Sequence, residues 1–463
     1  VTTALAIATA VGCGSPHYAS TGHAGSSGAA AAGGTCGACD AGGGAAGAGT
    51  AGASGGGSIG GTGEGSGGGG SGGGGGDGSG AGGSIGGTGG ASGAGGSIGG
   101  TGGASGAGGA SGAGGSIGGK GGASGAGGSV GGTGGAVLGS GGQAGQVTMQ
   151  PWPTTDAVVT VDGMNEFPKN VSDLVYQPTA GGTGDVLWAI QNDPSVLYQL
   201  LWNGTTWNST TDNGWTSGKL IHYPGGTGAP DAEGLTKAEW SSPAIYVSTE
   251  RDNNNSMVSR LSVLRYDTSV TGTTDLTATN EWNLTSDLPA AGANLGLEAI
   301  AWVPDSFLVA NGFFDEYADA AYDPARYANH GTGLFFVGLE NNGMIYGFAL
   351  DHVGGTFQRV ATVASGHPSI MSLDFDRDVG NLWAYCDNTC ANQAAVLRIA
   401  GGRFVVQYLY DHPATLPNSN FEGITIAPES ECAEGKKSFF WTDDDDAGGH
   451  ALYRGTIPCG PLP

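Results

Sequence analysis

Short runs of Val, Ile, Leu, Tyr, Phe and Trp alternate with Gly, Asn, Asp and Pro turns from about residue 148 to the end of the chain. The runs have the length of β-strands, and none keeps the three-to-four-residue apolar spacing of a long amphipathic helix. The one helix-like insert is 316–327, which carries Ala318, Ala320, Ala321 and Ala325 but is broken by Pro324. The pattern predicts an all-β fold.

The strands also repeat. Five times a short apolar strand is followed by a turn, an aromatic-rich strand ending in Asp, Glu or Asn, a polar loop and a third strand. The openings are Ser172-Asp173-Leu174, Glu233-Gly234-Leu235, Glu298-Ala299-Ile300, Met371-Ser372-Leu373 and Glu422-Gly423-Ile424, spaced 61, 65, 73 and 51 residues apart. Loosened by loop insertions, this is the period of propeller blades. A sixth, degenerate blade would draw on Glu281-Trp282-Asn283-Leu284 and the segment 157–161, so the expectation is a β-propeller of five or six blades. A β-sandwich gives no reason for glutamate to recur at equivalent positions.

Upstream the alternation stops. Residues 14–147 are a Gly/Ala/Ser-rich tract in which one thirteen-residue unit starts at Ala81 and again at Ala94, and returns with changes from Ala113 and Ala126. Isolated Ile side chains build no core, and glycine at this density is costly to fix, which predicts a disordered tether. The stretch from Ala51 to about Gly145, about 95 residues, spans roughly 50–60 Å as a coil. The match of Gly82-Gly83-Ser84-Ile85-Gly86 to a hydrolase nucleophile elbow is empty, because no strand precedes it and no helix follows. The chain thus divides into a signal over 1–13, the tether over 14–147 and the propeller over 148–463.

Charge sharpens this division. Of 15 Lys and Arg only Lys120 precedes residue 148, and of 40 Asp and Glu only Asp40, Glu64 and Asp77 do, leaving 14 basic against 37 acidic residues. A surplus of this sign argues against nucleic acid, whose phosphates need Lys and Arg, and favours cations, basic partners or neutral ligands.

Residues 1–13 read as an export signal without its basic front. The chain opens on Val1, as when the true start lies upstream or a non-standard start codon is translated literally. Ala10-Val11-Gly12-Cys13 resembles a bacterial lipoprotein processing box, with Ala where Leu is commoner. Lipidation of Cys13 is the first expectation and a non-lipidated signal the second. They place the chain in a bacterial cell envelope, at the outer membrane or in the periplasm, or outside the cell if it is not lipidated. Its contact with membrane would then be through the anchor alone. Setting Cys13 aside leaves six of the seven cysteines as three plausible pairs in an exported chain. Cys386 with Cys390 would staple a loop, Cys432 with Cys459 would tie the last blade to the chain end, and Cys36 and Cys39 are either a local disulfide or free thiols.

First strands line the central channel of a propeller, so Glu233, Glu298 and Glu422 are expected to approach one another at one end. Like charges at close range raise one another's pKa or recruit a cation. Ca²⁺ suits such a site, since it takes six to eight oxygens, whereas Zn²⁺ prefers Cys or His and the histidines show no ligand spacing. A water-filled acidic channel, or glutamates satisfied singly by backbone amides, are the other readings. Asp252, Asp443 and Asp444 lie in Asp/Asn-rich loops that are either second cation loops or solvated turns. Trp202, Trp207 and Trp215 lie in an Asn/Thr/Gly region that either packs or offers rim aromatics for carbohydrate.

The Glu-Gly-Leu/Ile openings, the Leu382-Trp383 strand ending at Asp387, and Asn420-Phe421-Glu422-Gly423-Ile424 followed by Trp441-Thr442-Asp443-Asp444 resemble the esterase-like/phytase-like propellers and the related SdiA-regulated proteins, over about 165–458. The resemblance implies a secreted or periplasmic propeller, often calcium-binding, with an axial pocket. Ser172 and Met371 depart from it where the other repeats have Glu. The few basic residues, with Arg251, Arg377 and Lys436 as candidates, contrast with the Lys and Arg that propeller phytases use to grip phosphate. The leading expectation is therefore an exported, lipid-anchored binding module with a Ca²⁺-holding axial site and a cell-surface or extracellular ligand. The alternative is a calcium-assisted phosphomonoesterase or related ester hydrolase.

Overall fold

The computed structural model describes residues 147–179 and 184–462. Cys13, Cys36, Cys39 and the glycine-rich tract to residue 146 lie outside them. The described residues form an all-β propeller of five blades.

Each blade is an antiparallel meander numbered here from its innermost strand. Blade 1 runs Val171–Gln177, Val186–Gln191, Val196–Trp202 and Lys219–His222; blade 2 runs Pro230–Thr236, Ala244–Asp252, Ser259–Asp267 and Asn280–Asn283. Blade 3 is Leu297–Pro304, Gly333–Leu339, Met344–Leu350 and Phe357–Ala364, and blade 4 is Ser372–Asp376, Asn381–Tyr385, Ala394–Ala400 and Arg403–Tyr410. Blade 5 has Phe421–Ile426, Lys436–Asp443 and Leu452–Pro458, and its outer strand, Val159–Thr160, comes from the other end of the chain. Each innermost strand packs on that of the next blade, and the fifth returns to the first, closing the ring.

No sixth blade is present among the described residues. Both segments considered for one are outer strands: Asn280–Asn283 of blade 2, and Val159–Thr160 of blade 5. Asp162 clasps this closure, one carboxylate oxygen accepting from the amides of Ala451 at 2.7 Å and Leu452 at 3.2 Å, the other meeting His450 Nδ1 at 3.0 Å. The insert 316–327 is not a helix. Phe314–Asp315 and Ala320–Ala321 pair as a small hairpin, with Asp319 left-handed at φ 49° between them, and Pro324–Arg326 makes a single 3₁₀ turn. The short α-helix of this blade is Asp305–Ala310 instead.

Side chains alternate along each strand, so every sheet is apolar on both faces and the core divides into five clusters, one at each blade interface. Trp188 fills the interface of blades 1 and 2, and Trp383 and Trp441 that of blades 4 and 5. Trp207 and Trp215 are buried as well; of the three tryptophans in the Asn/Thr/Gly region only Trp202 reaches solvent, at 40% exposure. Both expected disulfides form, Cys386–Cys390 and Cys432–Cys459, with Cα separations of 5.7 and 6.1 Å.

Candidate metal centre

The recurrent glutamates sit where the innermost strand bulges. Glu233 lies between the paired positions Ala232–Thr249 and Gly234–Ser248, Glu298 between Leu297–Leu339 and Ala299–Gly338, and Glu422 between Phe421–Asp443 and Gly423–Thr442. A bulge leaves one extra residue outside the ladder and re-aims its side chain. Ser172 takes the same place in blade 1.

The next residue explains the Glu-Gly pair. A methyl group on Gly234 would stand 2.8 Å from the amide nitrogen of Ile300, and one on Gly423 would stand 2.5 Å from Cα of Asp173. Glycine is needed because neighbouring inner strands touch backbone to backbone here. The third residue, Leu235, Ile300 or Ile424, then fills an interface core.

The close ring gathers more carboxylates than the three glutamates. Oxygens of Asp231, Glu233 and Glu250 lie within 4.8 Å of one another, as do those of Glu250, Glu298 and Glu340, so Glu250 belongs to both groups. Glu233, Glu250 and Glu298 are buried, and Glu340 and Glu422 half-buried. Glu422 completes the mouth beside Asp444 and Asp387, close enough to add to the repulsion on Glu233 and Glu298. Arg251 provides a counter-charge, its Nε 2.6 Å from Asp231 Oδ2 but off the line of a hydrogen bond, while its Nη1 donates to the Ala293 carbonyl.

Burial pushes the Glu233, Glu298 and Glu422 carboxyls well above the ordinary range, and their neighbours' charges push them further. Burial also takes Glu340 to about 7, with Glu250 and Asp387 adding repulsion. Asp231 is raised to about 6 by burial, against the pull of Arg251, and Asp444 to about 6 by the same cause. Glu298 hydrogen-bonds both Glu250 and Glu340, contacts between carboxyl groups that need a shared proton. Without a cation the mouth therefore holds protons near neutral pH.

The donor set fits a hard divalent cation. Every group is an oxygen donor, and Asn192, Asn392 and Asp444 each keep a buried Oδ1 without a hydrogen-bond partner. Asn192 turns its amide nitrogen to Glu233 Oε1 at 3.1 Å. An all-oxygen cluster of this kind suits a hard divalent cation, and the thiols of Cys386 and Cys390 are consumed in a disulfide.

The candidate loop residues divide. Asp252 is engaged locally: Oδ1 accepts from the amides of Ala229 and Asn254, and Oδ2 lies 3.6 Å from Arg260. Asp443 likewise accepts from Ser419 Oγ and the amides of Asp445 and Ala447. Asp444, by contrast, joins Glu422 at the mouth through Asn420, whose Nδ2 donates to both. Asp231, Glu250, Glu340 and Asp387 were not among the predicted ligands; the recurrence of an acid at the end of each second strand is the signal for Glu250, Glu340 and Asp387, while Asp231 lies on the innermost strand itself.

Comparison with known proteins adds little. No known family's sequence profile matches the chain, and no curated protein matches it. A chain of the mitotic checkpoint complex is 10% identical over 70% of this chain and 98% of its own, with a TM-score of 0.32. A protein named as a putative oxidoreductase (glucose dehydrogenase) from Thermus thermophilus is 13% identical over 65% of this chain and 100% of its own, with a TM-score of 0.33. Likenesses this slight bear on neither activity nor ligand. The five-bladed assignment rests on the strand order.

Proposed function

We propose that the acidic mouth binds a divalent cation, Ca²⁺ by its all-oxygen donors, and that the protein is an exported, lipid-anchored binding module whose cell-surface or extracellular ligand meets the metal-bearing face. The observation that carries this reading is Glu250 standing in two carboxylate triads at once. So many buried carboxyls in so small a volume cost stability unless protons or a cation neutralise them. The export half rests on the sequence around Cys13 and the glycine-rich tract. Globomycin-sensitive processing and detergent partitioning of the native product test the anchor; a product that is fully soluble and carries no lipid refutes it. For the cation, chelation should lower the melting temperature of the full chain, since a ligand of the folded state stabilises by mass action. Glu298→Gln should blunt that effect.

A second reading, in keeping with the esterase-like/phytase-like resemblance, is metal-assisted ester hydrolysis. It is favoured by Glu340, the half-buried member of the second triad, whose carboxyl at about 7 lies in the range in which a general acid or base works best at neutral pH. Calcium-dependent turnover of a phosphate- and carboxylic-ester panel that is lost in Glu340→Gln would support it. No turnover by a calcium-loaded chain would leave binding as the function.

A further inference from the structure

At the other end of the inner strands, away from the glutamates, blades 1, 2, 4 and 5 line a partly open cavity of about 60 Å³, its lining including Tyr176, Trp240, Asp374, Arg377, Ile426 and Pro428. Asp374 is out of place by the logic of the repeat. Its equivalents in the other innermost strands are Val175, Thr236, Ala301 and Thr425, none of them charged. One of its oxygens is fixed, Oδ2 accepting from the Ile426 amide at 2.8 Å and from Thr425 Oγ1 at 3.1 Å. Oδ1 makes no hydrogen bond among the described residues.

Arg377 is fixed just as firmly. Its guanidinium lies 3.7 Å from the centre of the Trp240 ring and 4.7 Å from that of Trp302, and its two Nη atoms donate to the carbonyls of Lys237 and Ala238. Nε–H is left without a partner among the described residues. Asp374 and Arg377 attract each other, yet they form no ion pair. Each is tied to the backbone of a different blade, so neither can move across to close the gap. Two further carboxylates line the cavity but are engaged, Asp376 by Lys437 Nζ at 2.7 Å and Asp378 by the Glu429 amide at 2.7 Å. That leaves two opposite charges held apart on one wall, a receptor for a molecule carrying both.

We propose that this cavity binds a compact zwitterion of the small α-amino acid class, its ammonium group on Asp374 Oδ1 and its carboxylate on Arg377 Nε–H. Size sets the class. At about 10–15 Å³ for each water-sized group, 60 Å³ admits roughly four to six non-hydrogen atoms, which takes in glycine and alanine whole and leaves most of a leucine side chain outside. The site is separate from the acidic mouth and does not depend on a cation there.

Calorimetric titration of the full chain, in chelator, with glycine, alanine, leucine, methylammonium and acetate tests the proposal. Glycine or alanine should bind, and leucine and the two singly charged fragments should bind at least about tenfold more weakly. Asp374→Asn keeps the shape of the side chain and should weaken the amino acid about tenfold or more while melting close to wild type. Arg377→Lys should do the same if it folds; should it fail to fold, Asp374→Asn alone decides. Absence of heat from both amino acids on wild type overturns the proposal, as does undiminished binding by Asp374→Asn. Methylammonium binding as tightly as alanine also overturns it, because the guanidinium would then contribute nothing.

Discussion

Replacing Gly423 by alanine should pry the ring open at one joint. The added methyl would meet Thr442 Oγ1 at 2.4 Å, Asp173 Cα at 2.5 Å and the Ser172 carbonyl oxygen at 2.6 Å. Thr442 is held on both sides, accepting from the Gly423 amide and donating to the Ser172 carbonyl. The other two atoms are backbone of blade 1, so no side-chain rotation relieves the clash. Restoring ordinary carbon–carbon contact requires the innermost strands of blades 5 and 1 to part by roughly 1 Å. Overpacking of this kind costs about 1–3 kcal/mol, and the upper end applies where backbone must move. At about 2–4 °C per kcal/mol for a domain of this size, the melting temperature should fall by roughly 5–10 °C. Differential scanning calorimetry with the disulfides intact and chelator present reads this without a contribution from bound cation. Gly163→Ala is the control, since its methyl would meet nothing closer than a Glu166 side-chain oxygen at 3.4 Å. A Gly423→Ala protein that melts within a degree of wild type would refute the argument that the Glu-Gly pair exists to let inner strands touch.

Removing Cys432–Cys459, which closes a 27-residue separation, should cost about 3.5 kcal/mol by chain entropy, against about 2 kcal/mol for the four-residue Cys386–Cys390 link; paired serine variants compared by urea denaturation read the order. Lys437→Met should lose about 3–5 kcal/mol, because it strands Asp376 and Glu429, now 2.7 and 2.9 Å from a fully buried ammonium group. Equal stability would mean the two carboxylates find other partners. Glu340 is an acid whose folded-state pKa, about 7, lies above its ordinary value, so the metal-free protein loses stability as pH rises from about 4.5 through 7. Glu340→Gln should therefore melt higher than wild type at pH 7.5 in chelator, the gap closing near pH 4.5; a gap that widens in acid contradicts that assignment.

The propeller fold and the meeting of the three glutamates were legible because both follow from period, although the period left five or six blades open. Short strands separated by turns, with a glutamate returning at three of the five openings, fix which residues share a level of the channel. The outer strands were less legible. Val159–Thr160 and Asn280–Asn283 are short edge segments with no repeat signature, and the closure that recruits Val159–Thr160 depends on an Asp162 clasp nearly 300 residues away in sequence. The stretch 316–327 misled because alanine favours a helix, whereas its conformation is set by left-handed Asp319, by Pro324 and by the hydrogen bond of Tyr327 to Asp315. Glu250 and Glu340 looked like strand ends in sequence. It is the bulges at Glu233 and Glu298 that take those glutamates out of the ladder, where they meet Glu250 and Glu340, and a bulge has no composition of its own. Asp374 gave no signal, since one carboxylate in an Asp-rich strand is read as solvated.

The central claim is that the mouth is a cation site organised on Glu250, and calcium titration of the metal-stripped full chain by calorimetry tests it most directly. Wild type should bind Ca²⁺ with release of protons near neutral pH, seen as a heat that varies with the ionisation enthalpy of the buffer, because Glu340 and the strongly raised Glu233, Glu298 and Glu422 must give up protons to act as ligands. Glu250→Gln, which removes a carboxylate from both triads, should abolish or severely weaken binding, and Asp252→Asn should leave it unchanged. No heat from wild type, or equal affinity in wild type and Glu250→Gln, would contradict the account.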